Sequence, residues 1–138
     1  VTPEASADAT LELEWHHLHA RYALLSCALD RALGEYGLGV SDFEVLDRLS
    51  SAPKARVQEL ASSVHLSQSA LSRVVARLER DGLVERAMCP DDRRGIFVAI
   101  TSVGRARHAE AAPTRQRVLT EHLSGPAQEN HEGCVCLS

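Results

Sequence analysis

From Leu66 to Gly95 the chain reads LSQSALSRVVARLERDGLVERAMCPDDRRG, and this run restricts the fold more than any other stretch. Leu71, Val74, Val75 and Leu78 recur at steps of three and four, the period of a helix with one apolar face. Ser67 stands where an N-cap is needed, its hydroxyl oxygen able to accept from an amide of the first turn. Asp81-Gly82 closes the helix, glycine supplying the left-handed C-cap. Leu83–Met88 and Ile96–Ile100 then read as two strands around the turn CPDDRRG. The run therefore predicts a short helix followed by a hairpin tipped with adjacent arginines.

Periodicity organises the rest. Residues 9–36 predict one long helix, in which Leu11, Trp15, Leu18, Tyr22, Leu25, Leu29, Ala32 and Tyr36 alternate steps of four and three. Such a near-heptad stripe suits either a core face or a seam between two copies. Gly37 and Gly39 stop it. Ser41 and Glu44 are placed as a capping box for a second helix that buries Phe43, Leu46 and Leu49 and ends at SSAP. ARVQELASSV predicts a third helix with Val57, Leu60, Ala61 and Val64 inward, and His65-Leu66 is the turn before Ser67. Thr101 caps a fifth helix running to about Leu123, with Pro113 as a kink. Residues 1–8 are expected to be flexible, and the aperiodic tail 124–138 to be disordered.

The fold class expected is mainly α with a small β-hairpin wing, a winged helix-turn-helix. At 138 residues the prior is one domain. It spans 9–123, with 41–101 as the winged-helix region and 9–36 and 102–123 as dimerisation helices.

A net charge of −4 argues against nucleic acid until it is divided along the chain. Residues 1–52 hold three basic and nine acidic side chains, whereas 53–95 hold eight basic and six acidic. The positive excess falls on the helix–hairpin run, and local field matters more than the sum for attracting a duplex. With the apolar residues inward, Gln68, Ser69, Ser72, Arg73, Ala76, Arg77 and Arg80 face out. Gln68 suits adenine and Arg73 guanine, while Ser67, Ser69 and Ser72 suit bases or phosphates. Arg77 and Arg80 lie further along, toward the DNA backbone. At the hairpin tip, Arg93 and Arg94 suit the negative potential of a narrow minor groove, with Asp92 steadying an arginine by ion pairing.

Three stretches together, LSQSALSRVVARLERDGLVER, the wing DDRRG and IFVAITSVGRA, resemble the multiple-antibiotic-resistance regulators, the MarR family. A looser likeness extends back through GLGVSDFEVL to the first helix, covering roughly residues 10–123. The resemblance implies a homodimeric transcriptional regulator, usually a repressor, bound to a palindromic DNA operator. By motif match its recognition helix falls on Ser67–Arg80, and its wing aspartate and arginine on Asp92 and Arg94. The family's dimer uses the first, fifth and a sixth helix, and the polar stretch after Leu123 departs from that pattern. The resemblance also implies release by a small aromatic or phenolic ligand between the long helices and the reading head. Candidates are Trp15, His16, His19 and Tyr22 on the first helix and Glu44 on the second, although Trp15 and Tyr22 equally suit plain packing.

Other classes find less support. No glycine-rich phosphate loop, nucleophile elbow or paired metal motif is present, so no enzyme, catalytic residue, cofactor or metal is expected. No run approaches a membrane span, and the N-terminus reads as neither a signal nor an anchor, so a cytoplasmic setting is the default. The four cysteines are not read as a disulfide framework. Cys27 suits core packing, and Cys134 and Cys136 with His131 lack a fourth ligand for a tetrahedral site. A thiol-based redox sensor and a protein-interaction module, docking through the acidic first helix, remain the alternatives.

Overall fold

The computed structural model describes residues 3–88 and 95–123, and their side chains from residue 7 onward. A helix α1, Pro3–Leu33, opens the chain. It starts ahead of residue 9, where the sequence reading placed the beginning of the helix. Proline fits a first helical turn because its missing N–H needs no partner there. The helix stops before Tyr36: Gly34–Tyr36 tightens into a 3-10 turn. Gly37 adopts φ 71°, and the Leu38 amide donates back to the Leu33 carbonyl at 3.1 Å. That positive φ is the conformation glycine reaches without a Cβ penalty.

The second helix, α2, spans Val40–Ser51, and its N-cap is Gly39 rather than Ser41. Two carboxylates take the first amides instead. Asp42 Oδ2 accepts from Gly39 N at 2.8 Å, and Asp30 Oδ1 from Val40 N at 3.0 Å. A short strand β1, Lys54–Arg56, then occupies what the sequence assigned to the start of the third helix, so α3 is only Val57–Ser63. His65, at φ 58°, makes the turn into α4, Gln68–Arg80. Strands β2, Val84–Met88, and β3, Ile96–Ile100, follow, and α5 spans Ser102–Leu123 as one helix through Pro113.

The sheet is antiparallel in the order β1-β3-β2. Lys54 pairs with Ala99 and Arg56 with Phe97 on one side of β3, while Arg86 pairs with Val98 on the other. Val98 and Ile100 point inward and Phe97 points away, as strand alternation requires. All four expected core residues of α4 are buried, packed with Phe43, Leu46 and Leu49 of α2, Leu60 of α3, and Leu83 and Val98 of the hairpin stem. Burying each such side chain contributes about 1.5–3 kcal/mol of transfer free energy, and the cluster continues into Leu29 and Leu33 of α1 and Ala111 and Val118 of α5.

The stem of the hairpin is bound tightly to α5. Thr101 Oγ1 donates to the Gly82 carbonyl at 2.7 Å and accepts from Gly104 N at 3.0 Å. At Gly104 the helix comes so near that a Cβ would lie 2.1 Å from the Leu83 carbonyl oxygen. Helix α5 also packs along α1 and α2. Arg107 donates to the Tyr36 carbonyl at 2.8 Å, and the Tyr36 hydroxyl bonds Thr114 at 2.7 Å.

The stripe on α1 divides in two. Its C-terminal part joins the core through Leu29, with Leu25, Ala32 and Tyr36 packed against it. Its N-terminal part stands open: Trp15 is 58% exposed, Leu18 65% and Tyr22 67%. Cys27 is buried as expected but is also disulfide-bonded, which corrects the reading of the cysteines as unpaired. Cys89, Cys134 and Cys136, like the whole tail 124–138, lie outside the described residues.

Candidate nucleic-acid interface

The helix-turn-helix of α3 and α4 presents the polar side of α4 to solvent. Ser67 Oγ accepts from Ala70 N at 3.2 Å and caps the helix, as its sequence position implied. Gln68, Ser69, Ser72, Arg73, Ala76 and Arg80 are all exposed. The small Ser69, Ser72 and Ala76 leave the helix backbone close to its own surface, so little bulk stands between it and a groove floor. Arg80 stays on the solvent side, 3.6 Å from Asp81.

Arg77 is placed differently. Its Nε donates to Asp42 Oδ1 at 3.2 Å, and its Nη2 donates to the same oxygen. Asp42 is 4% exposed, so this carboxylate is buried, and its other oxygen already caps α2. A buried carboxylate needs a cation and donors around it. Arg77 therefore ties α4 to α2 while its side chain stays 45% exposed. Nothing in the local pattern signals the pair, because its partners stand 35 residues apart.

A concavity of about 220 Å³ opens beside the first turn of α4. It is shared by Gln68 and Ser72 of α4, Arg56 and Gln58 at the entry to α3, and Arg86 and Ile96 of the hairpin stem. The start of the recognition helix and the base of the wing thus face one common space. Arg86 stands 3.8 Å from Glu79 on α4, and its amide donates to the same carboxylate at 3.3 Å. Lys54 and Arg56 lie over the outward face of the Phe97 ring, 5.0 and 5.5 Å from its centre. Sequence reasoning missed Lys54, Arg56, Gln58 and Arg86. A strand of three residues carries no period of its own, and only pairing with a distant strand reveals it. Asp92, Arg93 and Arg94 at the wing tip lie outside the described residues.

Of the candidate ligand residues, Trp15, His19 and Tyr22 share one groove, while His16 and Glu44 are not among its lining residues. Trp15 and His19 stack on one another with centroids 5.5 Å apart and planes 14° from parallel. His16 faces Glu12 at 3.6 Å on the same exposed helix. An open apolar groove runs past Trp15, Leu18, His19, Arg21, Tyr22 and Leu25 to Leu123. Glu44 does not line it. Glu44 instead accepts from Arg115 of α5 at 2.7 Å, because α2 packs on α5 at that level. Arg115 also covers the Phe43 ring at 5.0 Å, and His108 stacks on Phe43 at 5.0 Å while meeting Asp47 at 2.8 Å. The seam between reading head and α5 is thus a set of polar pairs around one buried ring. Among the described residues no group of three metal-ligating side chains converges, and no helix is long and apolar enough to cross a membrane.

The comparisons with known proteins agree with this geometry. The profile of the MarR family matches residues 38–96, from just before α2 to the start of β3. Among curated proteins, the HTH-type transcriptional regulator MhqR of Bacillus subtilis is 26% identical over 118 residues, 86% of this chain and 81% of that protein. Two solved structures from Streptomyces coelicolor extend the likeness. AbsC, a MarR family transcriptional regulator, is 30% identical across 89% of this chain and 80% of its own, with a TM-score of 0.72. Sco3205, of the same family and solved in complex with DNA, is 32% identical across 83% and 74%, with a TM-score of 0.78. With the winged helix in place and likeness of that extent, the chain belongs to the MarR family of transcriptional regulators.

Proposed function

We propose that this chain binds double-stranded DNA as a homodimer and represses transcription from a palindromic operator until a small aromatic acid releases it. One observation carries the DNA reading: the first turn of α4 and the stem of the wing border the same concavity. A duplex seated against that side meets Gln68, Ser69, Ser72 and Arg73 in its major groove while the wing reaches the neighbouring groove. Arg73 is the residue for guanine, and Arg93 and Arg94, with Asp92, are the residues for the minor groove. Ser67 and Arg80 serve the backbone at the two ends of the helix.

A dimer follows from the open half of α1. Leu11, Leu13, Trp15, Leu18 and Tyr22 are all more than half exposed, an apolar helix face of the kind that marks an association surface. A second copy covers it and sets two recognition helices about one helical turn, ~34 Å, apart. For the effector, Arg21 beside Trp15, His19 and Tyr22 offers a cation among aromatic rings, the chemistry an aromatic carboxylate needs. His16 stands on the adjoining face of the helix.

Selection of bound fragments from a pool of random duplexes tests the reading. Enrichment of an inverted repeat is the expected result, and Arg73→Ala should weaken binding by about 1–3 kcal/mol and relax preference at one base pair. A pool that shows no enrichment overturns it.

A further inference from the structure

Among the described residues Asp42 is the charged side chain that the fold buries, and its burial keeps it from any duplex. We propose that Asp42 is a positioning residue for DNA binding. Acting through Arg77, it fixes the rotation of α4 about its own axis, so that Arg73 and the serines meet the groove in register.

The pair is built to set an angle. Arg77 Nε donates to Asp42 Oδ1 at 3.2 Å and Nη2 donates to the same oxygen, while Oδ2 accepts from Gly39 N at 2.8 Å. One carboxylate thus holds the start of α2 with one oxygen and the last turn of α4 with the other. The next amide, Val40 N, donates to Asp30 Oδ1 of α1 at 3.0 Å. Two consecutive amides are therefore gripped by carboxylates, one from α2 and one from α1, and Arg77 refers α4 to that corner. The inward residues of α4 are Leu71, Val74, Val75 and Leu78, and apolar contact is non-directional. Glu79 adds a tie to Arg86, but toward the wing stem and with neither partner buried.

Stability alone does not account for such a pair. Burying a carboxylate costs solvation that its partner often only repays, and apolar residues of similar volume hold many folds as well. What two donors on one buried oxygen add is direction. Arg77 lies one turn after Arg73, so anchoring it fixes the face on which Arg73 stands. Binding groups must be held within about 0.5 Å and 10–20° of their productive geometry. Arg77 is itself 45% exposed, so a phosphate contact is the competing role, and the test separates the two.

This assignment rests on the DNA-binding reading, and the experiment keeps the two apart. Affinity of the full chain for its selected duplex is measured between about 50 and 200 mM salt. The wild type, Arg77→Ala, Asp42→Asn and the double variant are compared, with circular dichroism confirming that each is folded. Asparagine has the shape of aspartate but a single oxygen, so it cannot serve Gly39 and Arg77 together. Each single variant should bind about tenfold more weakly, and the double no more weakly than either, because both act through one contact. The slope of log K against log salt should keep its wild-type value in all three. A phosphate contact would instead flatten the slope by about 0.9 in Arg77→Ala and leave Asp42→Asn at wild-type affinity. That result overturns the assignment, as does a double variant in which the two losses add. Lower melting temperatures with unchanged affinity overturn it as well, since a pair that only stabilises the fold behaves that way. Where Asp42→Asn does not fold, the affinity and slope of Arg77→Ala decide. All these failures leave the DNA reading standing, whereas a wild type that binds no duplex at any salt removes both.

Discussion

The reading head and the N-terminal half of α1 are built on the same kind of apolar periodicity and end in opposite states. In the head, Leu71, Val74, Val75 and Leu78 find Phe43, Leu46, Leu60 and Val98 within the same chain and are buried. On α1, Trp15, Leu18 and Tyr22 find nothing of the sort and stay more than half exposed. A spacing of three and four says that a helix has a face to cover. It does not say whose residues cover it. The head is complete as a unit of one chain, while the first half of α1 is finished by the second copy proposed above.

Mutations can break this contrast or sharpen it. The largest effect belongs to the head. Leu78→Ala should cost about 2–5 kcal/mol of stability in urea unfolding, because a cavity opens in a packed interior. That cost should appear at any protein concentration. Trp15→Ala should instead weaken self-association by roughly 30-fold, about 2 kcal/mol, in sedimentation equilibrium. At dilutions where the chain is monomeric its unfolding should be unaltered, and an equal loss of monomer stability would erase the distinction. Gly104→Ala should cost about 1–3 kcal/mol in thermal unfolding, since its new Cβ can be accommodated only if the Leu83 carbonyl or α5 moves. Ser67→Ala, which removes only the cap of α4, should cost about 1 kcal/mol by the same measurement.

The contrast also explains what could be read from the sequence. The faces of α4 were legible residue by residue, because a helix with its core on one side leaves a period that survives in the letters. The cap at Ser67 and the T-x-x-G beginning of α5 were legible for similar reasons: each is a local hydrogen bond with a short, fixed spacing. What escaped depended on distant partners. Strand β1 exists because Lys54 and Arg56 pair with Ala99 and Phe97. Asp42 displaced Ser41 from its expected role because it satisfies the α2 amide and Arg77 together. Arg77 and Glu44, both named as site residues from the sequence, also meet Asp42 and Arg115 across the fold. Beside the exposed face of α4, the cations Lys54 and Arg56 of β1 had no local pattern to announce them.

Gly104 leaves no slack where the wing joins α5, and Thr101 pins both sides of that joint. A side chain at 104 would force the two apart, so the hairpin stem and the start of α5 are held in one fixed relation.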